Sequence, residues 1–479
     1  MIFEDVANWS FDLSQYGQVW FTVVQIAFIL IFLLIGNAIR RLIPFLKKGN
    51  IPSALIGGLL LFLFEIALKA GGHNIVDKRV MQIVTYHALA IGFIAMSLKV
   101  MKKNKSSTIL SSIQNGALTG GTYMLQGVVG ILISLIFFWA GSTLFYDSGV
   151  LLPLGFGQGP GNALTWDINF TSLTNDSSWT GPIFNGQGSV GLTIASIGFI
   201  VASIVGVTYT SIYKRKGEIV HRQANIVTSV EKYEDQNEIE DSDSVDKFSI
   251  QIALVFVSYA LAFGIMIFFY YLSEWTGIKL FNSIAWGFNF IWGVITANII
   301  KLIFTSLRKK RVLKQKYINN YQMDRISGFA FDIMIVAGVA AIDIKVLSEY
   351  VWFIVAVCAA GTIVTLIYIR MMTKICFKDA QHEFFLVNFG ALTGTASNGM
   401  IFLREVDPNY ETNASDVYIT SQLPAMVFVA PLLLLLNKSA ETLVGCYVVL
   451  GIFITLFVLY TLFLVLTGKG ILFKKKKEE

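Results

Sequence analysis

Two short segments carry the residues best suited to chemistry. One reads FGQGPGNA, Phe156 to Ala163, and the other FGALTGTA, Phe389 to Ala396; both fit F-G-x-x-x-G-x-A. Glycine lets a backbone approach a ligand closely and adopt angles that other residues avoid. A half-helix starting at such a glycine aims free N–H groups and partial positive charge at its ligand, which suits a carboxylate. Unwound carbonyls beside it can replace the hydration shell of Na+. The candidates are Gly157, Gln158, Gly159, Gly161, Asn162 and Thr165 in the first segment. In the second they are Gly390, Thr393, Gly394, Thr395, Ser397 and Asn398. Their side chains are neutral donors and acceptors, as expected for recognising an amino acid or organic acid together with a cation. Small residues also serve helix packing, so the pairing of two such segments rich in Gln, Asn, Thr and Ser carries the argument.

Charged groups inside apolar stretches come next, because a charge at the bilayer centre costs about 3 kcal/mol or more. Glu65, Asp332 and Asp343 qualify. Glu65 lies one turn before Lys69 and Asp343 two residues before Lys345, so local pairing is expected for both. Asp332 has no such neighbour and is the candidate ion-coupling carboxylate. Arg404 stands beside Glu405, where a surface pair is expected. His87 reads as a core histidine, and His73, His221 and His382 as loop or interface residues.

The elements that must position these residues are membrane spans. Apolar blocks of roughly twenty residues, enough to cross about 30 Å of hydrocarbon, occur at about 17–39, 52–70, 80–98, 112–140, 187–213, 250–272, 283–304, 326–345, 350–372, 418–437 and 440–466. The stretches at about 150–168 and 382–403, which hold the two motifs, are too broken for ordinary spans. Irregular backbone at membrane depth is tolerated only inside protein or along a wet cavity, so both read as re-entrant hairpins. With the N-terminus outside, all but six of the 37 Lys and Arg fall on the cytoplasmic side, the exceptions being Lys69, Lys78, Arg79, Lys279, Lys345 and Lys438. That bias fits the positive-inside rule.

The halves echo each other. Besides the glycine motif, GFIAMSLKV (Gly92 to Val100) and GVAAIDIKV (Gly338 to Val346) share G-x-x-A-[MI]-x-[LI]-K-V. Five spans plus a same-side hairpin make an odd number of crossings, so the second half is expected to be inverted. The expected fold is an all-α polytopic membrane protein with two inverted repeats of five transmembrane helices, each with a re-entrant hairpin, plus an extra C-terminal helix. Residues 1–16 would be an external N-terminus and 17–213 the first repeat. An acidic cytoplasmic linker would occupy 214–249, the second repeat 250–437, and the extra helix with its basic cytoplasmic tail 438–479. Inverted repeats with broken helices near the midplane are a signature of secondary transporters.

Composition narrows the alternatives. Hydrophobic residues make up 55% of the 479 and charged residues 14%, against about a quarter charged in soluble chains. The formal charge of +6 sits in clusters between apolar blocks, which are topology signals rather than a nucleic-acid surface. The first fifteen residues carry Glu4, Asp5 and Asp12 and no basic residue, so the first span is expected to be its own insertion signal. Cys358, Cys376 and Cys446 form no C-x-x-C pair, so neither a metal site nor a disulfide framework is indicated. No H-E-x-x-H, no Lys-Ser/Thr phosphate loop and no paired-aspartate motif points to an enzyme.

Three motifs and the layout resemble the bacterial sodium/glutamate symporters. FLKKGNIPSALIGGLL, Phe45 to Leu60, is similar to the family's basic turn and proline-started second span. Gly157 to Ala163 and Asn388 to Asn398 resemble its two glycine-rich hairpins. The chain departs from the family pattern with Gln158 in place of His, Pro160 in place of Thr, and no proline between Phe389 and Arg404. The resemblance implies a Na+-coupled importer of glutamate or a related small carboxylate in a bacterial cell membrane. It further implies a homodimer, each protomer with a scaffold and a mobile, hairpin-bearing domain working as an elevator. No cofactor is expected; Na+ enters as the coupling ion. Other readings of the same residues are a proton-coupled or exchange carrier for dicarboxylates or hydroxy acids, and, further off, a membrane-embedded enzyme or a channel.

Overall fold

The computed structural model describes residues 16–44, 46, 51–73, 75–99, 109–142, 144–177, 179–219, 247–277, 281–282, 285–286, 289–312, 317–407 and 412–469. The expected N-terminal segment, most of the acidic linker and the basic tail lie outside them. The described residues include sixteen α-helices and no strand. They are α1 (Tyr16–Leu42), α2 (Ser53–Ala70), α3 (Lys78–Leu98), α4 (Ile109–Trp139), α5 (Leu151–Gln158), α6 (Pro160–Thr174), α7 (Ser189–Arg215) and α8 (Lys247–Thr276). There follow α9 (Asn289–Lys309), α10 (Asn320–Ala340), α11 (Ile344–Cys376), α12 (Gln381–Thr393), α13 (Ala396–Val406), α14 (Ala414–Thr420), α15 (Gln422–Glu441) and α16 (Leu443–Gly468).

Ten of these are long and apolar enough to cross a membrane: α1–α4, α7–α9, α11, α15 and α16. The sequence led us to expect eleven. The exception is α10, a 21-residue helix that carries Asp324, Arg325 and Asp332. Neighbouring helices bury Met334, Val336, Ala337 and Val339 of α10, while its three charged residues and polar first turns lower its apolar character. The span expected at 418–437 is divided at Ser421 into α14 and α15. The two motif-bearing stretches are pairs of short helices, α5 with α6 and α12 with α13, each packed on its mate.

Packing sorts the helices into two groups. In one, α1, α2, α3, α8, α9 and α10 pack together; in the other, α4 holds α11, α15 and α16, while α7 holds both arms α5 and α6. Small residues let backbones touch within the first group. A Cβ on Gly36 would lie 2.4 Å from the Ser53 carbonyl, and one on Gly57 2.4 Å from the Phe32 carbonyl.

The same bonds recur in both halves of the first group. Buried Gln25 of α1 donates to the Ile75 carbonyl (2.8 Å) and accepts from the Asp77 N–H (2.9 Å). Buried Gln251 of α8 donates to the Tyr317 carbonyl (2.7 Å) and accepts from the Asn319 N–H (3.0 Å). Asp77 then caps α3 through the Val80 N–H, and Asn319 caps α10 through the Gln322 N–H; such caps contribute about 1 kcal/mol each. In step with this, α2 packs on α10 and α9 packs on α3.

Candidate functional site

The two helix breaks meet. Between α5 and α6 lies Gly159 at φ +80°, a backbone conformation that favours glycine. A Cβ there would lie 3.8 Å from the Thr395 methyl, 4.0 Å from the Gly394 carbonyl and 3.7 Å from the Met334 side chain of α10. Gly394 and Thr395 are themselves the break between α12 and α13. Two helix C-termini, of α5 and α12, and two helix N-termini, of α6 and α13, therefore converge below Met334.

Neither N-terminus is capped by a side chain, which leaves first-turn N–H groups of α6 and α13 without intrahelical partners. Around them stand buried polar atoms that no described residue satisfies. The Thr395 hydroxyl (8% exposed), the Asn398 Nδ2 (4%) and the Gln126 Oε1 (0%) make no hydrogen bond. Leaving such a group buried and unpaired costs about 1–3 kcal/mol, so three together mark a place prepared for something polar.

The candidate residues divide by geometry. Gln158 and Asn162 clasp each other across the first break, the Asn162 Nδ2 donating to the Gln158 Oε1 at 2.5 Å, and Gln158 also hydrogen-bonds the buried Tyr123 phenol. The Thr165 and Thr393 hydroxyls donate back to the Gly161 and Phe389 carbonyls one turn earlier, so each offers only its remaining lone pair. Gly157 lies against the Tyr123 ring, Gly161 against Leu89 of α3, and Gly390 against Gly399 and Phe402 of the opposite arm. Gly390 thus serves the packing of its own helix pair. The Ser397 and Arg404 side chains lie outside the described ones.

Among the ionisable candidates, Asp332 is exposed. It stands two residues before Met334, hence about 200° around α10 from the breaks. Glu65 meets Lys69 at 2.5 Å, as expected. Asp343, expected to pair with Lys345, pairs with Lys78 at 2.8 Å; Lys345 contributes only its backbone N–H. Burial alone would raise the Asp343 carboxyl, but the Lys78 and Lys345 bonds outweigh it and hold the carboxyl below its ordinary value. Glu405 lies 3.4 Å from Lys214. His87 faces the Tyr259 hydroxyl of α8 at 2.7 Å and lines a cavity, in contrast to the core position expected for it.

Several residues of the site were not singled out from sequence. Gln126 of α4 donates to Thr365 of α11 (2.9 Å) and to the Leu392 carbonyl (3.1 Å), tying the long helices to the end of α12. Asp167, fully buried in α6, accepts the Gly188 and Gly191 N–H groups (2.7 and 2.8 Å) at the start of α7. Asp407 does the same after α13, accepting the Thr412 N–H (2.9 Å). A lone Asp in a glycine-rich apolar stretch was the available signal for Asp167.

Neither a protein-family model nor a curated protein matches this chain. What the arrangement can do follows from its own atoms. Uncapped N–H groups with the Thr395 hydroxyl and Asn398 amide are donors for a carboxylate. The Gln126 carbonyl oxygen, with the carbonyls ending α5 and α12, presents neutral oxygens at negative helix ends. No group of three or more His, Cys, Asp or Glu able to hold a metal occurs among the described residues. Neutral oxygens suit a hard monovalent cation better than a transition metal.

Proposed function

We propose that the chain is a Na+-coupled secondary transporter that imports a small carboxylate, an amino acid such as glutamate or a relative of it. The observation that carries this is the convergence of two helix breaks around unsatisfied buried polar atoms. Donors for an anion and oxygens for a cation lie side by side there, so each ligand offsets the other's charge. Coupling is then mutual stabilisation.

The architecture supports alternating access through two inverted repeats. The Gln25 and Gln251 bonds are one constellation occurring twice. On the topology given by the basic residues they lie on opposite sides of the membrane. The helix α3 packs on α10, and α4 packs on α11, each against its counterpart in the other half. Contacts between equivalent elements are expected where a pseudo-two-fold axis passes. In this reading α1–α3 and α8–α10 form the scaffold. The helices that hold the breaks move past it as an elevator, and two protomers pair as the resemblance implies.

The test is uptake of labelled small carboxylates into proteoliposomes with and without an inward Na+ gradient. Na+-driven accumulation is expected. Thr395→Val and Gln126→Leu should weaken Na+ dependence and substrate affinity together. Accumulation driven equally well by a proton gradient alone would replace this reading with the proton-coupled one.

A further inference from the structure

We propose that the cavity between α3 and α6 is an anion-attracting vestibule on the external route to the paired breaks, with Arg79 as its specificity-determining cation. The proposal rests on the carrier reading and adds a net negative charge to the substrate class.

The cavity has a volume of about 700 Å3. One wall is α3, with Arg79, Gln82 and Tyr86; the facing wall is α6, with Leu164, Thr165 and Asn169. It therefore opens along the seam between the two helix groups, and Thr165 on its wall is one turn from Gly161 at the first break. On the topology set by the basic clusters, its mouth faces outside.

The charges that line this cavity do not balance. Lys78 is bound by Asp343 at 2.8 Å and lies 3.9 Å from Glu65, which also holds Lys69. These four cancel. Asp77 keeps its charge, caps α3 through the Val80 N–H and does not line the cavity. Arg79, two residues on, lines it, is exposed, and has no ion pair or hydrogen bond among the described residues. A cleft with low-dielectric walls concentrates the field of an unpaired cation and raises the local concentration of anions. Arg79 is some 15 Å along α3 from Leu89, which faces the first break. Its part is thus attraction and selection ahead of the final site.

Two measurements test this. The first needs no substrate. Ile83→Cys and, separately, Asn169→Cys place a thiol in the cavity, while native Cys358 and Cys446 are buried. Impermeant anionic and cationic methanethiosulfonates are applied from outside. The anionic reagent is expected to hold a several-fold rate advantage over its rate ratio with a free thiol. Arg79→Gln should remove that advantage, Arg79→Glu should reverse it, and added salt should shrink it. An unchanged ratio in Arg79→Gln at both positions overturns the vestibule. The second measurement is transport. Arg79→Glu is expected to raise the external KM for an anionic substrate about tenfold at unchanged kcat, leaving efflux from the inner side as it was. An external KM that does not move overturns the selection role. Failure of any carboxylate to be transported, with the labelling preference intact, instead removes the carrier reading.

Discussion

Gln158 is the residue where chemistry and architecture are hardest to separate. Its amide clasps Asn162 across the break and reaches Tyr123, yet it stays partly exposed beside the converging helix ends. An amide offers the same donors and acceptor at every physiological pH. Histidine would titrate near pH 6.5 and present a cation to a carboxylate. Gln158→His is therefore expected to make substrate affinity pH-dependent between about pH 5.5 and 7.5. Competition profiles at both ends of that range check it; identical profiles would leave Gln158 as a clasp only. The sequence made the glycine motifs legible because close approach and positive φ restrict residue choice. It did not reveal Gln126, which belongs to the site only because α4 crosses α11 beside the end of α12, a long-range contact that no local pattern encodes. Nor could it place Asp332 relative to the breaks, because charge in an apolar stretch says nothing about which side of the helix it occupies.

At the scale of elements, two buried carboxylates make separate demands. Asp167 supplies acceptors to the start of α7, where backbone N–H groups would otherwise be unpaired. Asp167→Ala is expected to cost about 2–4 kcal/mol, leaving several buried donors without partners; a thermal melt in detergent measures it. Asp147 sits between α4 and α5, fully buried, accepting from Ser439 (2.7 Å) and from the Cys446 thiol (3.8 Å). Burial pushes its carboxyl up to about 8, while in an unfolded chain it titrates near 4. Between those values the folded state holds a proton that the unfolded state has released, so stability falls as pH rises and levels off above 8. The slope is bounded by about 1.4 kcal/mol per pH unit. Asp147→Asn should flatten the melting temperature against pH across this window. An unchanged slope would mean that the carboxyl is ionised throughout.

At the scale of the whole molecule, the order and type of elements followed from the sequence almost without loss. Apolar length and glycine breaks are local properties, and ten of the eleven expected spans meet the requirements for crossing a membrane. The division into two packing groups was not legible, since it depends on which faces find each other. One dimension of the assembly has its own consequence. The helix α4 runs 31 residues, Ile109–Trp139, without a charged residue, and both terminal residues are exposed. At 1.5 Å per residue it is about 46 Å long, against about 30 Å of hydrocarbon. A straight rod of that length must lean steeply or push the lipid headgroups outward around it. Because α4 touches both break-bearing pairs, at α5 and at α12, and holds α11, which packs on α12, any change in its lean travels to the breaks. For the proposed carrier, the thickness of the surrounding membrane would thus become a variable of turnover. Proteoliposomes made from phosphatidylcholines of increasing acyl-chain length should show a maximum in transport rate, falling by several-fold toward the thinnest bilayers. A rate indifferent to chain length would mean that the lipid yields and the helix does not.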